Sequence, residues 1–171
     1  MSQHDGTRVS IDKQSRAVYL AQINVAKAAR NAAQAAGMSR ALVELINIRI
    51  SQINGCAYCL DTHVAAALRY GEQARRIAVL PACRDTTLFT AQERAALTLA
   101  ESVTSVPDAR TQDHDYTGAQ EHLTADELAA VSWIAITMNA FNRISIVSRH
   151  AVRSDAGPRP DGPPPPRNEP I

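Results

Sequence analysis

The chain has 171 residues, 45% of them hydrophobic and 20% charged, with a net charge of +1, which describes one globular domain able to bury a real core. Its basic residues are scattered and only seven residues are aromatic, so it offers neither the charge footprint nor the stacking surface of a nucleic-acid binder. No run of about 18 apolar residues is present and residues 1–10 lack the apolar stretch of a secretion signal, so a cytoplasmic protein that does not span a membrane is expected.

The pattern in chain order predicts an all-α protein. A periodic, alanine-rich segment over residues 13–36 passes through Val18, Ile23 and Val25, with Gly37 placed to end it. Ser39 reads as the N-cap of a second helix over residues 40–53. Leu42, Val43, Leu45, Ile46, Ile48, Ile50 and Ile53 make that helix apolar nearly all round, with Glu44 in its midst. Such a helix is usually buried, and in a domain this small a neighbouring subunit is the expected cover. Asn54-Gly55 breaks it, and a cysteine-bearing helix follows to Tyr70, with Gly71 as its stop. A short helix through Ile77 and Leu80 ends at Pro81.

Thr90 and Glu93 have capping-box spacing, as do Thr124 and Glu127. They open helices reaching about residues 104 and 148, the second through Val131, Trp133, Ile134, Ile136, Met138, Phe141 and Ile144. The polar stretch 108–122 is expected to hold one short helix. No alternating strand pattern occurs. Residues 1–12 are expected to be a flexible N-terminus and residues 13–150 the folded domain. Residues 154–171 form a proline-rich tail, since seven of the nine prolines fall in the last 14 residues.

The chemistry concentrates in Gly55-Cys56-Ala57-Tyr58-Cys59-Leu60-Asp61-Thr62-His63. On a helix at about 100° per residue, positions 56, 59 and 63 share an arc of roughly 60°. A free thiol with a pKa of about 8.5 is only about 3% thiolate at pH 7, and activating it by two units is worth about 2.7 kcal/mol. Three features can supply that: the helix N-terminus favours an anion, His63 stands at i+4 from Cys59, and Glu44 can orient His63 if the two helices pack side by side. Cys59 is therefore the candidate attacking thiolate and Cys56 the resolving one. Attack on a peroxide would leave a sulfenic acid on Cys59, which Cys56 would condense with to form a disulfide that a dithiol must reduce.

Other readings stay open at this point. Buried cysteines are common small hydrophobes. A zinc site needs four ligands, and Cys56, Cys59 and His63 are three, with Cys83 or Glu44 as a fourth. Haem attachment fails because Leu60 follows Cys59, and a thioredoxin fold fails for want of strands. Cys83, in a connection after Pro81, reads as a packed small residue, and His114 and His122 as solvent-facing. The redox reading requires no cofactor and no metal.

The segment from Glu44 to His63, with a glutamate twelve residues before a C-x-x-C-x-x-x-H, closely resembles the core motif of the alkylhydroperoxidase D (AhpD-like) and carboxymuconolactone decarboxylase family. Residues 84–97 and 139–143 resemble it too, so the likeness covers roughly residues 15–150. The resemblance implies a compact bundle of about six to seven helices assembling into homotrimers or homohexamers. It implies peroxiredoxin-type activity on hydroperoxides, with a proton relay through Glu44, Cys56, Cys59 and His63, the second cysteine peroxidatic. It also implies a lipoyl-type carrier protein or other dithiol as reductant. Two positions depart from the family pattern: Tyr58 stands where well-known members carry a further histidine, and Cys83 where an aromatic residue is expected. Decarboxylase members act on a lactone without the cysteine pair. Two rivals therefore accompany the peroxidase reading: a lactone decarboxylase or isomerase using His63 and Glu44, and a non-catalytic redox-sensing oligomer.

Overall fold

In the computed structural model, which describes residues 8–152, the chain is all-helical. Among the described residues there are eight α-helices: α1 (Ile11–Gln14), α2 (Arg16–Ala35), α3 (Arg40–Asn54), α4 (Ala57–Arg69), α5 (Ala74–Val79), α6 (Ala91–Ser105), α7 (Ala109–Gln120) and α8 (Ala125–Ser148), with a 3-10 segment, Leu80–Asp85, between α5 and α6. The capping signals act as read. Ser39 accepts from the Leu42 N–H, and Thr90 with Glu93 and Thr124 with Glu127 form complete reciprocal boxes.

α3 is the centre of the bundle. Leu45, Ile46, Ile48 and Ile50 are fully buried, each contributing about 1.5–3 kcal/mol of apolar burial. α4, α6 and α8 pack around it, with a smaller contact from α2. This corrects the expected cover: the apolar surface of α3 from Leu42 to Ile50 is enclosed by its own chain, and only Ile53 at its end is left exposed. Apolar surface appears elsewhere, at Trp133 and Ile136 on α8 and at Val18 and Val25 on α2.

α8 is long and apolar enough to resemble a membrane span, yet half of that stretch is buried inside the bundle, as in a core helix. The N-terminal boundary also shifts. Ser15 interrupts the first helix, and α1 docks on the end of α8, the Ile11 N–H donating to Ser148 Oγ at 3.2 Å. Residues 8–12, read as flexible, are thus tied down at that point. The remainder of the expected flexible N-terminus and the proline-rich tail lie outside the described residues.

A side-chain amide cluster locks α3 to α8 one residue before the chain turns into the cysteine segment. Asn54 donates to the side-chain oxygens of Asn139 (2.9 Å) and Asn142 (2.8 Å), and Asn142 donates to Ser51 Oγ at 3.1 Å. Asn139 spends its amide hydrogens on Thr104 Oγ1 and the Ala135 carbonyl, while Arg143 donates to Asn139 Oδ1. Amides satisfied in this way, Asn142 fully buried and Asn54 and Asn139 half-buried, favour one arrangement of helices, because alternatives leave polar groups unpaired.

Candidate active site at the first turn of α4

Gly55 closes α3 in the left-handed region at φ +67°, where a side chain would be strained. The chain re-enters helix at once, so Cys56 becomes the N-cap of α4 with extended backbone, φ −90° and ψ 94°. Cys56 is therefore not on the helix face that the 100° spacing assigns to it. It reaches the site by folding back across the first turn, where its sulfur accepts from the Cys59 N–H at 3.4 Å. The two cysteines are joined in a disulfide with their Cα atoms 5.4 Å apart. Both are buried, at 2% and 3% exposure, so the bond lies just beneath the surface at a helix N-terminus, where backbone N–H groups favour a thiolate on opening.

His63 follows one turn later on the buried side of α4, and Glu44 lies on the adjacent α3 with no exposed surface. Their side chains meet at 2.7 Å between His63 Nδ1 and Glu44 Oε2. The structure thus forms two pairs among the four residues singled out in the sequence, Cys56 with Cys59 and His63 with Glu44, on the adjacent helices α3 and α4. Glu44 holds the ring through Nδ1, leaving Nε2 as the atom for proton exchange.

Arg40 and Asn47, on the same helix as Glu44, escaped the sequence reading. Arg40 Nε lies 3.1 Å from Glu44 Oε1, a charge contact whose angles fall short of a hydrogen bond. Its guanidinium also lies over the Tyr70 ring at 5.1 Å. The Asn47 side chain donates to Glu44 Oε2 at 3.4 Å. Both stand at helical contact spacing from Glu44 (i−4 and i+3), which is the signal that could have found them. Together they explain how a carboxylate tolerates complete burial: it is shared by a cation, an amide and an imidazole.

Cys83 sits in the 3-10 segment, 1% exposed. Burial, and then the Glu101 carboxylate, push its thiol above the ordinary range against the opposing pull of Arg49 and Arg84. It is the packed small residue expected. Among the described residues no three His, Cys, Asp or Glu side chains converge to hold a metal ion. His114 and His122 are exposed, lining an open groove of about 360 Å³ beside Arg84 and Arg94.

A helical bundle carrying a cysteine pair at a helix start, with a buried glutamate–histidine pair one turn further on, defines an AhpD-like protein. The chain belongs to the carboxymuconolactone decarboxylase family, which matches residues 17–102. It is 38% identical over 109 residues to the uncharacterised Bacillus subtilis protein YdfG, covering 64% of this chain and 74% of that one. A crystal structure from Agrobacterium tumefaciens, of a protein of unknown function provisionally assigned to antioxidant defence as AhpD, superposes with a TM-score of 0.76. The two share 28% identity over 87% of this chain and 99% of that one. These likenesses point to antioxidant or decarboxylase-like chemistry.

Proposed function

We propose that this chain is a thiol-dependent hydroperoxide reductase. The observation that carries the reading is the Cys56–Cys59 bond at the start of α4, one turn before a His63 ring that Glu44 holds. In the reduced protein His63, oriented by Glu44, takes the Cys59 proton. The thiolate attacks the terminal peroxide oxygen, the O–O bond breaks, and the departing alkoxide takes the proton back as an alcohol. Cys59 is left as a sulfenic acid. The Cys56 thiol then attacks that sulfur, releasing water and closing the disulfide. A dithiol, such as a lipoyl-bearing carrier protein, attacks the disulfide, leaves as its own cyclic disulfide, and returns both cysteines to thiols. Such recycling belongs in a reducing compartment such as the cytoplasm.

The family match favours one other reading, a lactone decarboxylase or isomerase in which His63 and Glu44 act as base and orienting carboxylate without the sulfurs. Stoichiometric peroxide titration of the reduced protein, followed by mass spectrometry, separates the two. The peroxidase reading expects loss of two hydrogens at Cys56 and Cys59 for each peroxide consumed. Peroxide that leaves both thiols free, together with lactone turnover that survives alkylation, would establish the rival.

Self-association into a homotrimer or homohexamer forms part of the proposal. The exposed Trp133 and Ile136 on α8, with Val18 and Val25 on α2, support it as apolar surface a second copy would cover. Light scattering at micromolar concentration tests it, and a monomer overturns it.

A further inference from the structure

A second histidine–carboxylate pair stands against the cysteine turn, built from the two ends of the described chain. α8 ends at Arg149, in the left-handed region at φ +50°, and the chain folds back so that the His150 N–H donates to the Ser145 carbonyl at 3.0 Å. This turn brings the His150 ring against α1. Its Nε2 lies 3.2 Å from Asp12 Oδ1 on α1, with both side chains less than one-fifth exposed. α1 is held there independently by the Ile11–Ser148 bond and by Arg8 donating to the Val147 carbonyl at 3.4 Å.

The other side of the His150 ring meets Tyr58, the residue between the two cysteines, edge to face with centroids 5.2 Å apart and planes at 71°. Tyr19 on α2 completes the cluster. Burial, then the nearby Tyr58 and Asp12, push its phenol up, while Arg16 pulls it down. Burial would also raise Asp12, but its hydrogen bond to His150 and the charge of that ring hold the carboxyl below the ordinary range. Asp12 is thus an anion with its partner in place.

The placement matters because Cys56 and Cys59 are almost wholly buried, whereas Ala57 and Tyr58 between them face solvent. Of these two, Tyr58 alone has a large side chain, and its ring is held from one side by His150. We propose that Asp12 and His150 are positioning residues that clamp Tyr58, and with it the turn joining Cys56 to Cys59, as a gate, so that a reductant reaches the buried sulfurs only when this contact opens. Asp12 fixes the histidine, the histidine fixes the phenol, and α1 serves as the clamp. The inference rests on the reading that the cysteine pair cycles between dithiol and disulfide. Access to that bond would then select the reductant: a partner able to displace Tyr58 gains entry that a small molecule lacks.

The test uses the full-length oxidised protein and a water-soluble phosphine, which needs no docking surface. The phosphine attacks one sulfur, water hydrolyses the adduct, and both cysteines become thiols while phosphorus is oxidised to the phosphine oxide. Reduction is followed by alkylation and mass spectrometry in the wild type and in Tyr58→Ala, His150→Ala, His150→Phe and Asp12→Asn. The first two should be reduced about three- to tenfold faster, the range that loss of an aromatic edge contact releases. His150→Phe keeps a ring against Tyr58 and should fall between them and the wild type, as should Asp12→Asn.

Alkylation of Cys83, buried in another part of the bundle, is read in the same samples as a measure of general loosening. Faster disulfide reduction at an unchanged Cys83 rate supports the gate. Equal rates in His150→Ala and the wild type overturn it, as does a parallel rise at Cys83. Absence of a Cys56–Cys59 bond in peroxide-treated wild type would defeat the underlying redox reading, and the gate with it. A bond that forms and is reduced at one rate in all variants defeats the gate alone.

Discussion

Cys59 and Cys83 are the same residue at the same depth, 3% and 1% exposed, in opposite settings. Cys59 lies in the first turn of a 13-residue helix, with Cys56 within bonding reach and His63 one turn below. Cys83 lies in a 3-10 segment where burial and Glu101 disfavour the anion. Burial by itself therefore does not single out Cys59, the thiol proposed to react, from Cys83. What differs is whether helix dipole, base and second sulfur accompany the burial, or a carboxylate does.

The sharpest way to break this comparison is to exchange each sulfur for oxygen. Cys59→Ser should lower hydroperoxide turnover by about three orders of magnitude or more, as loss of an attacking nucleophile does. Cys83→Ser should leave it within about twofold of wild type while costing stability typical of a buried substitution. Turnover assays with a dithiol donor and denaturant melts check both. Full activity in Cys59→Ser would end the assignment.

Next in size is Glu44→Gln, which keeps the shape but removes the charge that orients His63. Turnover should fall by about 100-fold, within the range a general base contributes. The effect should centre on the rate with reduced enzyme, not on re-reduction of the disulfide. Since Glu44 also neutralises Arg40, circular dichroism must accompany the kinetics to show that the bundle persists.

A gentler comparison is alkylation of the reduced wild type across pH. Cys83, with its thiol raised, should label last at every pH. The sign for stability follows: a raised thiol contributes stability that is present below the ordinary cysteine range and lost as pH rises through the folded-state value. Labelling of Cys83 ahead of Cys59 would show that the contrast drawn from their surroundings is wrong.

The smallest effect concerns Asp12. Its folded carboxyl is lowered, so the pair with His150 contributes stability above the ordinary aspartate range that is lost as pH falls through it. Asp12→Asn should cost about 1 kcal/mol or less near neutrality, and the difference from wild type should vanish in acid. Urea melts at the two pH values measure it. A cost that persists in acid would mean Asp12 acts through packing and not charge.

Much of this molecule is legible in one dimension because its signals are local. Capping boxes at Thr90 and Thr124, breaks at Gly37 and Gly55, and the apolar run of α3 all act within a turn or two of chain. The motif from Glu44 to His63 is local in the same sense, which is why its four residues could be named from spacing. Spacing misplaced Cys56 on the helix face, since a left-handed Gly55 makes the next residue a cap instead of a helical position.

Contacts between distant segments were decided only in three dimensions. Whether α3 is covered by its own chain or by a neighbour depends on how four helices close around it, a sum over the whole core that no window of sequence contains. The pairing of Asp12 with His150, 138 residues apart, and its contact with Tyr58 follow from α1 docking on the end of α8. The sequence by itself determined the helices, their caps and the cysteine pair on which the proposed chemistry rests. The tertiary structure decided that His63 meets Glu44 and that the turn joining the two cysteines is held from outside, because charge pairing and ring contact depend on distance in space and not along the chain.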